Sequence, residues 1–220
     1  MEEDRSYLEN AAACYEEVSE ACYGLRKAFH GRTVLCPCGD GPGSAFHKYF
    51  RTGFGWLRLF GLACLGYGGD RQGTLWSYFP AGGALSMREE PAPCRGSVEE
   101  PWVQALFGTY DIVATMPPDS LFDECLSLTS AYGKGFLFLG HAVHMEDGPA
   151  RDLAGVGKLR AFPGLGGRAK ITLPGGGPRP IRNWWRDETG TIRAGLPDLL
   201  WYTNLSLLWY TNLDSGKGGR

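Results

Sequence analysis

The chain has 220 residues, 43% of them hydrophobic and 21% charged, with a formal net charge of −2. That is enough apolar material for one folded core, and it excludes a disordered polymer. No apolar run approaches the roughly 18–20 residues a membrane helix needs. The start, Met1-Glu-Glu-Asp-Arg5, is acidic where a secretory signal is basic and then apolar, so a cytoplasmic location without membrane contact is expected.

In chain order, residues 6–29 read as one helix, because Leu8, Ala12, Tyr15, Val18, Cys22, Leu25 and Phe29 recur at three- and four-residue spacing. His30-Gly31 ends it. Residues 32–38 form a short apolar strand, followed by the turn-rich stretch Gly39-Asp-Gly-Pro-Gly-Ser44. Over 45–60 the aromatic residues Phe46, Tyr49, Phe50, Phe54 and Phe60 keep helical spacing, interrupted by Gly53 and Gly55. A second strand spans 62–65, and from 66 to 100 the pattern weakens into loop with a poor strand near 74–79. A short helix over 102–107 precedes a buried strand over 110–115. Pro117-Pro118 ends that strand, since proline offers no N–H to a ladder. A capped amphipathic helix over 120–130 and a buried strand over 135–140 follow. Nearly all-apolar strands alternating with helices predict an α/β fold, with a parallel sheet covered on both faces.

Residues 147–198 are rich in Gly, Pro and Arg and only weakly periodic. They are expected to be a loop-built recognition segment or partly disordered, with 174–180 as a linker. The end holds a direct repeat, Leu199-Leu-Trp-Tyr-Thr-Asn-Leu-Ser206 followed by Leu207-Leu-Trp-Tyr-Thr-Asn-Leu-Asp214. Two copies are too few for a solenoid, so one is expected to pair in the sheet and the other to be surplus. The chain thus divides into a core over 1–146, the basic segment over 147–198 and a terminal strand motif over 199–220.

Charge is spread unevenly. Residues 1–150 carry 11 Lys+Arg against 19 Asp+Glu, whereas 151–220 carry 11 against 5. A basic carboxyl-terminal part suits an anionic partner such as duplex DNA, or stands as a solvated face. Arginine forks onto phosphates and guanine edges, so Arg179, Arg182 and Arg186 are candidate DNA-binding residues. Trp184 and Trp185 join them, either stacking on bases or anchoring a loop. The seven cysteines include no Cys-x-x-Cys pair and are expected to be reduced and mostly buried. Cys36-Pro-Cys38 lacks further ligands at metal spacing, and no metal is expected. His47 is expected at the surface, and His141 and His144 in a solvated loop.

An open α/β sheet binds its ligand at the carboxyl ends of its strands. Two such ends stand out, Cys36-Pro-Cys-Gly-Asp-Gly-Pro-Gly-Ser-Ala-Phe46 and Asp111-Ile-Val-Ala-Thr-Met-Pro-Pro-Asp-Ser-Leu-Phe122. Glycines let backbone approach a ligand closely, and Asp40 offers a hydrogen-bond acceptor. With Tyr15, Lys48-Tyr-Phe50, Lys134-Gly-Phe-Leu-Phe-Leu-Gly140 and Trp209-Tyr-Thr-Asn-Leu-Asp214, these elements run in one order over most of residues 14–214. In that order they resemble the EcoRI-type family of adenine-specific DNA methyltransferases, which use S-adenosylmethionine.

The resemblance implies a Rossmann-like, S-adenosylmethionine-dependent methyltransferase sheet with helices on both faces and a loop-rich basic carboxyl-terminal segment. It implies a donor site built from Tyr15, Cys38, Asp40, Gly41, Ser44, Phe46 and Asp111. It also implies a target loop, Met116, Pro117, Pro118 and Asp119, that receives an adenine flipped out of duplex DNA, in a restriction–modification setting. The loop departs from the family pattern at two loaded positions. Met116 stands where a side-chain amide or carboxylate would accept the adenine amine, and Asp119 where an aromatic ring would stack on the base. Each loss is worth about 1–3 kcal/mol, so a rate loss on the order of 10²–10⁴ is expected. Gly39, His141 and Cys14 also replace family residues. Three readings therefore stand: a DNA adenine N6-methyltransferase with impaired turnover, a non-catalytic relative that binds DNA or the donor, and a marginally folded product or fragment.

Overall fold

The protein was described from a computed structural model, in which residues 6–173 and 184–205 are described. Their elements are β1 (Ala12–Ala13), α1 (Tyr15–Leu25), β2 (Thr33–Cys36), α2 (Ala45–Gly53), β3 (Gly61–Gly66), β4 (Thr74–Ala81), β5 (Ala84–Pro91), α3 (Pro101–Thr109), β6 (Ile112–Thr115), α4 (Phe122–Ala131), β7 (Gly135–His141), α5 (Pro149–Gly155), β8 (Arg160–Pro163), β9 (Ala169–Leu173), β10 (Trp184–Arg186), β11 (Ile192–Leu196) and β12 (Leu199–Thr203). Short 3-10 turns lie at Ser6–Asn10, Arg26–Phe29, Asp119–Leu121, Ala142–Met145 and Leu165–Gly167.

The main sheet has eight strands in the order β5-β4-β3-β2-β6-β7-β12-β8. Its centre is parallel, with β2 between β3 and β6 and with β6 beside β7. Alternate side chains feed two cores, as the pleat requires. Val34, Cys36, Leu62, Cys64, Ile112, Ala114, Leu137 and Leu139 face α1 and α2. Leu35, Ala63, Leu65, Val113, Phe136 and Phe138 face α3, α4 and α5. The covering of both faces explains why these strands read as unbroken apolar runs.

The outer strands correct the expectation of a wholly parallel sheet. β4 and β5 extend one edge antiparallel, and β12 enters antiparallel between β7 and β8 at the other. The weak region 66–100 is a regular hairpin. Its tip, Gly82 and Gly83, has φ of 57° and 83°, the paired positive angles of a two-residue turn that suits the strand twist. β5 is exposed over most of its length, so no hydrophobic alternation betrays it.

The single helix expected over 6–29 is interrupted. β1 pairs with β9, and the Cys14 N–H donates to the Lys170 carbonyl at 3.0 Å. A long-range ladder therefore claims the backbone that local periodicity assigned to a helix. Residues 147–198 are not loop-rich where they are described. They supply α5 and β8–β11, and β1, β9, β11 and β10 form a second, antiparallel sheet. Its Ala169, Ile171, Ile192 and Ala194 share the core beneath α1. Of the repeat, the first copy forms β12, and the second lies outside the described residues. Strands from 1–146, 147–198 and 199–220 thus meet in one sheet. No helix among the described residues is long and apolar enough to cross a membrane.

Candidate functional site

β2 leads through α2 to β3 on one side, whereas β6 leads through α4 to β7 on the other. The order reverses between β2 and β6, and the carboxyl ends of these two strands border a cavity of about 560 Å³. An open α/β sheet places its ligand crevice at such a switch point. Cys38 and Asp40 from the loop after β2 line it, with Ser44 and Phe46 from the amino end of α2. Met116 and Pro118 enter from the loop after β6.

Asp40 ties the two loops together. Its Oδ2 accepts from the Thr115 hydroxyl at 2.7 Å and more weakly from the Cys38 N–H at 3.4 Å. Burial pushes its carboxyl up to about 6, against the pull of hydrogen bonds from Thr115 and Ser44. Ser44 caps α2 by accepting from the His47 N–H at 3.0 Å. Phe46 is buried and meets the Trp201 ring edge-on at 6.0 Å. Among the described residues, three carboxylates, from Glu9, Asp40 and Glu99, line the cavity, and no basic side chain does.

Several expected site residues lie elsewhere. Tyr15 opens α1, is 42% exposed, faces Tyr49 and does not line the cavity. Gly41 lies beneath Trp76. Asp111 sits at the amino end of β6, the far end of the sheet from the cavity. There it accepts from the Thr33 N–H at 2.8 Å and the Thr33 hydroxyl at 2.9 Å. Partial burial opposes its ionisation, but these bonds and Arg32 hold its carboxyl low.

In the loop after β6, Met116 puts a nearly buried thioether into the cavity wall. The Pro118 carbonyl is engaged by the Leu121 N–H at 2.9 Å. Asp119 turns away from the cavity. Its Oδ1 lies 3.1 Å from Nε2 of His144, whose ring stacks on Phe122 at 4.1 Å. Nδ1 of His144 is 3.3 Å from Asp123 Oδ1, within ion-pair range but off the line of a hydrogen bond. Ser120 does not cap α4. Its N–H and hydroxyl both donate to Glu9, each at 2.8 Å, and the Phe122 ring fills the space where a side chain at Gly140 would go.

The histidines are less solvated than expected. His144 is nearly buried. His47 is buried, with Nε2 2.7 Å from the Tyr78 hydroxyl and Nδ1 3.1 Å from the Asp40 carbonyl. The seven thiols are free, five of them buried. Trp184, Trp185 and Arg186 form the exposed edge strand β10 of the second sheet, and Arg179 and Arg182 lie outside the described residues. Sequence reasoning missed Glu9, Thr115 and Glu100. Glu100 accepts from the Gly96 and Ser97 N–H groups at 2.8 Å each and so shapes the cavity wall at 96–99. The Ser97-Val-Glu-Glu100 spacing before an apolar run was an available signal, whereas Glu9 and Thr115 act across long sequence separations.

The fold and the cleft define a mixed α/β protein with a cavity at the switch point, an architecture consistent with an α/β methyltransferase. Sequence comparison agrees. Over 121 residues the chain is 36% identical to the Type II methyltransferase M.MpnI of Mycoplasma pneumoniae, and over 125 residues 26% identical to the Type II methyltransferase M.MgeORF184P of Mycoplasma genitalium. These matches cover 55% and 57% of this chain but only 36% and 38% of the relatives. The chain therefore spans well under half the length of the curated relatives it matches. No family model and no solved structure matches it.

Proposed function

We propose that this chain carries the core of an S-adenosylmethionine-dependent DNA adenine N6-methyltransferase of the EcoRI type, on a Rossmann-like sheet, with its donor site in the switch-point cavity. The observation that carries the reading is the Asp40–Thr115 bond, which locks the two motif loops around one cavity. The residues present fit the donor. The cavity volume lies in the range of small-molecule sites, the carboxylates among its described lining residues suit a ligand bearing an ammonium and a sulfonium, and Phe46 and Tyr67 offer aromatic surface. When bound, S-adenosylmethionine supplies an electrophilic methyl group.

The chain's own task is to hold the adenine amine with its lone pair toward that methyl. Two acceptors are needed, and the 116–119 loop offers the Pro117 carbonyl and a thioether. Met116 is a weak acceptor, and Asp119, engaged by His144, does not compensate. Duplex DNA as partner, a cytoplasmic location and a restriction–modification setting go with this reading. A second reading is favoured by the orientation of Asp119: a methyltransferase-like protein that binds DNA or donor without turnover.

Transfer of labelled methyl from S-adenosylmethionine to mixed-sequence DNA tests both, with a Met116→Asn, Asp119→Phe variant in parallel. Turnover by the wild-type chain at the rate of intact enzymes would exclude the second reading. Turnover restored only by the variant, by about 10²–10⁴-fold, supports an impaired site on a sound scaffold. A folded chain that fails to bind the donor would end the first reading, and one that binds neither donor nor DNA would end both.

A further inference from the structure

The 3-10 turn Ser6–Asn10 lies across the loop after β6, at the boundary between the donor cavity and the neighbouring space where a target base would enter. Leu8 is 2% exposed. It lines a remnant of only about 10 Å³, roughly the space of a single water, together with Met116, Pro117, Asp119, Phe122 and Leu199. A purine cannot occupy that space as it stands. On the other side of the same turn, Glu9 lies in the donor-cavity wall and holds both the N–H and the hydroxyl of Ser120 at 2.8 Å. One short segment therefore fills the space beside Pro117 with an apolar side chain and clasps the loop that borders it.

We infer that this turn is a latch on the target-base cavity, with Leu8 as the plug and Glu9 as the clasp, and that a purine gains access only when the turn lifts. The inference rests on the methyltransferase reading of the 116–119 loop and adds to it a gating step by the chain's own amino-terminal segment. The construction suits a latch. The clasp is a pair of solvent-reached hydrogen bonds, easily exchanged for water. The plug is one side chain on a turn whose own closing bond, Ala11 N–H to Leu8 carbonyl, is long at 3.4 Å. By contrast, the segment just after it is anchored, because β1 pairs with β9. Lifting would therefore hinge near Ala11.

The test uses the full chain with isotope-labelled methionine methyl groups. Met116 lines both the donor cavity and the remnant, so its methyl resonance reports on each. S-adenosylhomocysteine is first added to saturation to fill the donor cavity, and adenosine is then titrated as the probe of the base cavity. In the wild-type chain the Met116 signal should shift with S-adenosylhomocysteine and stay still with adenosine. In Leu8→Ala, and in Glu9→Ala, which removes solvent-reached bonds together with one of the donor cavity's carboxylates and is therefore brought to saturation by its own S-adenosylhomocysteine titration, adenosine should produce a saturable shift. Its apparent affinity should rise about tenfold or more over wild type, as expected when the competent state is freed from a closed majority. Equal adenosine responses in all three chains would overturn the latch. So would silence in both variants while S-adenosylhomocysteine still shifts Met116. Absence of the S-adenosylhomocysteine shift in the wild-type chain would instead overturn the donor-site reading, and the latch with it.

Discussion

Glu17 of α1 is fully buried, and its carboxylate accepts from the Leu165 and Lys170 N–H groups and from the Trp201 indole at 2.8 Å. One side chain thus joins a helix, the turn before β9 and the main-sheet strand β12. Glu17→Ala would leave one buried donor, the Trp201 indole, and two half-buried N–H groups unpaired, and each costs about 1–3 kcal/mol where water cannot replace the bond. A loss of about 3–5 kcal/mol is expected from urea unfolding, with Glu17→Gln intermediate because its amide keeps one acceptor oxygen. Asp40 contributes in the opposite sense at neutral pH. Its folded pKa of about 6 lies above the ordinary value near 4. The stability linked to this group is therefore fully present below pH ~4 and is lost as pH rises through about 6, by about 3 kcal/mol in all. Unfolding measured from pH 4 to 7 should show this decline in the wild-type chain and a flatter profile in Asp40→Asn. Gly140 is constrained by Phe122, whose ring takes the place of a side chain there. Gly140→Ala should cost about 1–3 kcal/mol through overpacking, and Phe122→Leu in the same chain should return part of it.

At the scale of elements, the second sheet is the feature that most changes the view of the carboxyl-terminal half. Its ladder runs from residues 12–13 to residues 184–196, so its edge strand β10 is held by a scaffold and does not float on a loop. Trp184 and Trp185 remain 44% and 41% exposed there. Part of the local positive charge is already paired, with Arg193 Nε donating to Asp187 at 2.7 Å. Alanine at Trp184 or Trp185 should weaken binding to a mixed-sequence duplex by about tenfold or more for a ring that stacks, with the urea midpoint little changed. Arg186→Ala should lower affinity and reduce its salt dependence, as loss of a phosphate contact does. Unaltered binding in all three variants would remove β10 from the DNA interface.

For the whole molecule, the proposed donor site predicts a coupling of ligand binding to folding at the switch-point cavity. S-adenosylmethionine at about a hundred times its Kd should stabilise the chain by about 2.7 kcal/mol, a rise of roughly 5–10 °C in Tm for a domain of this size. Absence of that shift in a cooperatively melting chain would refute the donor site.

The central strands and the two ligand-facing loops were legible in the amino-acid sequence because each is specified locally. Val34-Leu-Cys36 and Ile112-Val-Ala-Thr115 are apolar on both faces, Pro37 and Pro117 end them, and Ser44 caps the next helix. The resemblance implied Cys38, Asp40, Ser44 and Phe46 as site residues, and all four line the one cavity. Tyr15 and Asp111 do not, because Tyr15 opens α1 against Tyr49 and Asp111 lies at the amino end of β6, away from the cavity. The break in the first helix, the second sheet and the clasp of Glu9 on Ser120 arise from partners far away in the chain. The hairpin strand β5 was hidden by its own exposure, and the burial of His47 and His144 and the turn of Asp119 toward His144 by packing between neighbouring elements. The sequence by itself determined the alternation of strands and helices, since hydrophobic period and turn residues act over a few positions. Which loops share a cavity and which carboxylates are paired emerged only from the tertiary structure, because those depend on contacts between separate elements, 25 positions apart for Asp119 and His144, 75 for Asp40 and Thr115 and 111 for Glu9 and Ser120.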